Sequence, residues 1–443
     1  MKSARWTKIA GVSLLTGIGL LSSLQLGAQD EPTSAKPAPY RVFNLATLGG
    51  TLGIGSGINN RGWVIGVSTL SGNQTARATL WIYGAKLDLG TLGGSNSAVE
   101  WPVKNDTGEI VGISETSTPD PLGETFSCGA FIPTNGHTCL GFLWRNGVMT
   151  PLPTLGGNNS FATGMNNRSQ AVGWAETAVH DPSCDAPQVL QFEAVLWGPG
   201  RGQIEQLTPF PGDPDGAATA INDQGQVVGI SGICGDAVGA FSAKHAVLWE
   251  KGAVRNLGNL GGAGWNTPMA INNRGQIVGF SDLAGDLSGG VLSPNFHAFL
   301  WTKEHGIEDL GTLPGDALSE ATGINDQGQV VGVSFPSSHA FLWQDGVMTD
   351  LNSVLVPGSS LSLISTGDIN DRGEITGQAC VLTDGVCLST SETPTFVAIP
   401  SSGGLAAGLA AAGEVPKIAT PENIRRQLLE RRGLGRIAAE MDR

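Results

Sequence analysis

The sequence predicts an all-β fold, a seven-bladed β-propeller of four-stranded blades. Three observations carry the prediction: one Asn–Gly phrase recurs seven times, one apolar phrase ending in Trp recurs in step with it, and the composition suits turns and strands. Charged residues are only 14 % of the chain, while 65 of 443 residues are Gly. Turn-rich β-structure has that profile, whereas a helical protein needs more Lys, Glu and Ala.

The first phrase is typified by "INDQGQVVG". Its Asn recurs at Asn59, Asn105, Asn166, Asn222, Asn272, Asn325 and Asn370, at spacings of 45 to 61 residues. A Gly follows three residues later in every copy but one, where Ser169 stands, and another Gly follows four residues after that. Asn and Asp bond to their own backbone and Gly supplies positive φ, so the phrase reads as strand A, a tight turn and strand B. The second phrase, "HAFLW", ends in Trp81, Trp144, Trp197, Trp249, Trp301 and Trp343, with "FVAI" as a degraded seventh copy. It is too short for a helix and reads as strand C. The third phrase, "DLGTLGG", follows a short link and closes strand D.

Four strands per unit at this spacing argue for propeller blades over a β-solenoid, whose coils are shorter. The last unit stops after its C strand, while "YRVFNL" precedes the first A strand. The N-terminal strand is therefore expected to complete blade seven and hide both sheet edges. Gly or Ala two places before most of the Asn residues suits an innermost strand crowded at the axis.

The phrases "HAFLW", "DLGTLGG" and "INDQGQVVG" resemble the HAF family of extracellular repeats over residues 40–399. The resemblance implies export and a β-rich repeat fold, and it implies no catalytic residue. His245, His297 and His339 keep the His of the phrase, whereas Arg77, Leu140, Glu193 and Thr395 replace it.

The ends differ from the repeats. Residues 1–28 combine Lys2, Arg5 and Lys8 with an apolar stretch ending in Gly27 and Ala28, an export signal cut near Ala28, with an uncleaved anchor as the alternative. Residues 29–39 form a linker, 40–400 the propeller, 401–419 a small-residue linker and 420–443 a helical tail. That helix is expected to be capped by Thr420, to begin at Pro421, to stop at Gly433 and to be loosely tethered. Residues 29–400 hold 15 basic and 34 acidic groups, net −19, so phosphate-rich partners are repelled and nucleic acid is excluded.

Departures from the repeat locate candidate sites. The segments from the Gly of strand B to strand C run from 7 residues in blade six to 28 in blade two, and variable loops on a rigid scaffold mark a working face. All six Cys fall there. Cys128–Cys139 and Cys380–Cys387 are natural local pairs and Cys184–Cys234 could join adjacent blades, one of fifteen possible pairings. Trp101, Trp174 and Trp265, off the strand-C column, are expected near that face, either exposed to a sugar or protein or tucked against loops. Glu100 and Glu320 share one offset from the Asn, and Asp368 replaces a small residue; these could serve acid–base chemistry on a glycoside, bind a cation or line a wet channel. Asp213 and Asp215 resemble half a calcium loop without its later Glu. No nucleotide-, zinc- or serine-hydrolase motif is present, so no metal or cofactor is expected. The expected protein is an exported monomer with no membrane span after signal cleavage, a non-enzymatic module binding a glycan or protein. The alternative is a polysaccharide-acting enzyme using the three carboxylates.

Overall fold

The computed structural model describes residues 38–401 and 420–431, apart from 104, 125, 130, 201, 238–241 and 286–294. The expected signal peptide, most of both linkers and Gly433 lie outside the described residues. Seven sheets, each built from strands A to D, form a seven-bladed β-propeller. Blade one runs Gly49–Ile58, Val64–Leu70, Ala76–Ile82 and Ala85–Asp88. Blade seven takes strands A to C from Leu361–Ile369, Ile375–Thr383 and Thr395–Pro400, and strand D from Tyr40–Asn44. Tyr40 pairs with Pro400 and Asn44 with Phe396, so the N-terminal strand closes the ring as expected.

Each phrase has a structural task. The side-chain oxygen of every repeat Asn accepts two backbone N–H groups of its own turn at 2.9–3.1 Å, which fixes the A–B turn. Its Nδ2 donates to the carbonyl of the repeat Asn in the next blade at 2.9–3.1 Å. The series runs from Asn59 to Asn105 and onward until Asn370 donates to Asn59. Seven buried amides thus form a closed belt around the axis. The Gly three residues on holds φ between 73° and 91°, and Ser169 adopts 58° in its place. The later Gly sits on strand B against a bulged strand A. A Cβ at Gly66 would lie 1.9 Å from the Ile54 carbonyl oxygen, which forbids any larger residue.

A second ring lies beside the first. The residues following the repeat Asn are Asn60, Asp106, Asn167, Asp223, Asn273, Asp326 and Asp371. Each backbone N–H donates to the side-chain Oδ1 of the next member at 2.7–2.9 Å, and Asp371 returns the bond to Asn60. Asn amides also reach carboxylate Oδ2 atoms, as from Asn167 to Asp223 at 3.0 Å and from Asn60 to Asp371 at 2.8 Å.

The strand-C Trp residues fill space between blades and pin the third phrase. Trp81, Trp197 and Trp249 donate from Nε1 to the carbonyls of Ala46, Pro153 and Thr208 at 2.7–3.0 Å. The His of the second phrase meets the Asp of the third in the same blade: His297 with Asp309 and His339 with Asp350, both at 2.9 Å. Arg77 pairs with Asp88 at the matching place, and His245 turns to Asp213 because blade four carries Asn256 on strand D.

Two expectations change. Strand B continues past its Gly, to Pro119 in blade two and Phe335 in blade six, so several supposed loop residues are strand. The tail helix, Glu422–Arg431, is docked rather than loose. Ile424 is buried against Ile364 and the Cys380–Cys387 disulfide, Asn423 donates to the Ser389 carbonyl at 2.9 Å, and the Thr420 hydroxyl donates to the Ser338 carbonyl.

Candidate functional site: the loop face and the blade two–three groove

The loops between strands B and C are braced as the sequence suggests. Disulfides join Cys128 to Cys139, Cys184 to Cys234 and Cys380 to Cys387, and no Cys is free. The second ties blade three to blade four.

The tryptophans do not present open indole faces. Trp101, Trp174 and Trp265 are 6 %, 3 % and 6 % exposed, so of the two expected arrangements the structure has the tucked one and not open stacking platforms. Trp101 rests on a two-residue insertion in the inner segment of blade two, which folds it against Phe131, Phe161 and Trp174 at centroid distances of 5.2, 5.6 and 6.1 Å. Trp265 packs with Phe296 and Leu318 in a separate cluster. Edge-to-face aromatic packing of this kind stabilises the loops from beneath.

The same insertion corrects the reading of the carboxylates. Glu320 pairs in register with Val333, and the residue paired with the matching Ile113 in blade two is Ala98. Glu100 lies beyond the paired strand, so it does not occupy the Glu320 position. Glu320 and Asp368 are 1 % and 0 % exposed, and Asp368 Oδ2 accepts the Ile58 N–H at 3.3 Å across the seam of blades seven and one. Neither lines an open funnel. Asp213 and Asp215 also diverge. Asp213 bonds His245 and the Ser231 hydroxyl, while Asp215 turns into the seam between blades three and four. Among the described residues no group of three metal-ligating side chains converges.

Sequence reasoning missed a cluster of buried acids above blade three. Glu176 accepts N–H groups of Asn158 and Asn159 at 3.0 and 2.8 Å and the Gln188 amide at 3.1 Å. Burial, then the charge of Glu124, push its carboxyl up to about 7 against those bonds. Glu193 stands where the repeat has His, and burial pushes it up to about 8 against a bond from Gln206.

Two of the open spaces among the described residues bear on function. An axial cavity of ≈ 60 Å³ is lined by residues of all seven blades around the Asn and Asp rings. A groove of ≈ 1200 Å³ runs along the outer seam of blades two and three, from Pro119 and Pro121 at the loop face to Gly198 and Gln203 at the other. Its walls include Leu140, Leu143, Val148, Pro151, Pro153 and Pro199. Leu140 holds the His position of the second phrase, and Pro151 ends the strand that carries the partner Asp elsewhere. The repeat's polar pair is thus absent where the groove opens. The sequence signal was that coupled loss, Leu140 with Pro151.

No family model matches the chain, and no curated protein matches it. Solved structures are similar in fold. An acylaminoacyl peptidase from Pyrococcus horikoshii has 11 % identity and a TM-score of 0.43 over 77 % of this chain and 52 % of that one. A gluconolactonase from Xanthomonas campestris has 10 % identity and a TM-score of 0.33 over 82 % and 96 %. YCF48 bound to D1 peptide has 11 % identity and a TM-score of 0.41 over 83 % and 99 %. The chain spans about half the length of the peptidase. These are likenesses of fold, and no activity is carried over from them.

Proposed function

We propose that the protein is an exported, HAF-type repeat propeller that binds rather than catalyses, and that its ligand is an extended protein segment held in the blade two–three groove. The groove carries this reading. It is long, walled by Leu, Val and Pro, and opens where the repeat's polar pair has been lost. Such a wall suits apolar and proline side chains on a polypeptide; a glycan needs a denser set of hydrogen-bonding groups and an open aromatic face. Three disulfides support export, since such bonds persist in oxidising compartments. No helix among the described residues is long and apolar enough to cross a membrane.

The test sets a displayed library of random dodecapeptides beside a panel of soluble polysaccharides, using the full chain with its disulfides intact. Apolar, proline-containing peptides are expected to be enriched. Their binding should fall about tenfold or more in the double variant Leu140→His, Pro151→Asp, which restores the pair found in blades five and six. Retention of a polysaccharide, or release of reducing sugar, with no peptide enriched would overturn the reading.

A further inference from the structure

One contact occurs at two successive seams of the propeller with a single chemical change. In blade two, Asp120 follows strand B. Its Oδ1 accepts the Leu122 N–H at 2.8 Å, and its Oδ2 accepts Nδ2 of Asn159, in strand A of the next blade, at 2.9 Å. In blade three, Asp181 follows strand B and caps its turn the same way, accepting the Ser183 N–H at 2.7 Å. Across its seam, at the place matching Asn159 (each lies seven residues before the repeat Asn), stands Asp215. An amide donor has become a carboxyl group.

By that correspondence Asp181 and Asp215 face one another across the seam, and each carboxyl shifts the other. Oδ2 of each is buried and accepts from no N–H or O–H group, and Asp215 is only 1 % exposed. Two carboxylate oxygens bring no hydrogen to such a contact, and a buried acceptor without a donor is costly.

We propose that Asp181 and Asp215 share one proton at neutral pH and form a pH-sensitive latch between blades three and four. The proton replaces the hydrogen that Asn159 supplies at the preceding seam. Glu193, on strand C of blade three and 4 % exposed, is itself pushed up to about 8 by burial and adds like charge from the side as it ionises, and Asp213 is engaged by His245 and Ser231. Among the described residues no Lys or Arg forms an ion pair with Asp181, Glu193 or Asp215. Burial, then the bond and charge of Asp181, push Asp215 up to about 8. Burial also acts on Asp181, but the bonds from Asp215 and Ser183 outweigh it and hold that carboxyl below the usual range.

The direction follows from linkage. Asp215 has a raised folded-state pKa, so its share of the latch is present below the usual carboxyl range and is lost as pH rises through about 8, while the lowered pKa of Asp181 withdraws that carboxyl's share only in stronger acid. Two facing carboxylates then repel, and the loop from Asp181 to Val189, closed by the bond from Asp181 N–H to the Val189 carbonyl, is freed. Because Cys184 is bonded to Cys234, the opening is local and the blades stay joined.

Hydrogen exchange of residues 181–190 in the full chain, corrected for intrinsic rates, tests the latch. Protection should fall about tenfold between pH 6 and pH 9 in the wild type. Asp215→Asn, and separately Asp181→Asn, each place an amide donor in the contact and should flatten the profile; either one serves if the other fails to fold. A wild type flat from pH 6 to 9, or Asn variants that keep the wild-type fall, would overturn the proposal.

Discussion

Replacing Asn222 by Asp exchanges one NH₂ group for an oxygen and leaves the shape of the side chain intact. In the wild type, Nδ2 of Asn222 donates to the Asn272 carbonyl at 3.1 Å and to Gln226 Oε1 at 2.7 Å. Oδ1 meanwhile accepts from the N–H groups of Gln224 and Gln226. The variant keeps the second set and loses the first. A carboxylate oxygen then faces a buried carbonyl across one link of the amide belt. One unsatisfied buried acceptor costs about 1–3 kcal/mol, and an added like-sign contact brings the total to about 3–5 kcal/mol at pH 7. With an unfolding entropy of about 2.1 cal/mol/K per residue, a ring of this size that melts as one unit loses about 4–6 °C. Calorimetry reads the shift. Protonation restores a donor, so the variant's folded-state carboxyl pKa is raised. The rescue is then present below its unfolded-state value and vanishes as pH rises. The deficit against wild type should therefore shrink at pH 4, whereas Asn222→Ala should show no such recovery. A loss below about 1 °C at pH 7, or a deficit independent of pH, would refute a stabilising role for the belt.

A chain beginning at Leu45 lacks the strand that completes blade seven. It should lose about 3–6 kcal/mol from the missing ladder and the burial of Tyr40, and form edge-paired dimers visible by size-exclusion chromatography. Paired Ser variants should rank by loop length. Removing Cys184–Cys234, with a separation of 50 residues, should cost about 4 kcal/mol, and removing Cys380–Cys387, with a separation of 7, about 2 kcal/mol, read from denaturant midpoints. Glu193→Gln removes a carboxyl whose folded-state pKa is raised to about 8. Wild-type stability falls as pH rises toward that value, so the variant should gain on it by at most about 1.4 kcal/mol per pH unit between roughly pH 5 and 8, measured by urea titration.

Blade number, ring closure and the disulfide pairs were legible because each rests on spacing along the chain. The Asn phrase counts blades, "YRVFNL" is the one D strand without its own unit, and nearby Cys pair locally. Depth was not legible. An offset from Asn places Trp174 on a strand, but only packing shows that Phe131 and Phe161 cover it. Counting back from Asn105 also misaligned Glu100 with Glu320, since two inserted residues shift the register without altering the phrase on either side. The groove was written in the sequence as Leu140 and Pro151. It went unread because the His–Asp pairing that they replace is itself visible only in three dimensions.

The ring of Asn60, Asp106, Asn167, Asp223, Asn273, Asp326 and Asp371 also carries a parity. Neutral and charged members alternate from blade one to blade six, so that amides separate the carboxylates. A circle of two alternating kinds closes without conflict only when its number is even. Seven is odd, and the remainder falls between Asp326 and Asp371, like-charged neighbours joined only by the backbone bond from Asp326 N–H to Asp371 Oδ1 at 2.8 Å. Six or eight such units would close with no misfit. The number of blades is therefore not chosen by this ring. The ring instead absorbs the mismatch at the junction of blades six and seven.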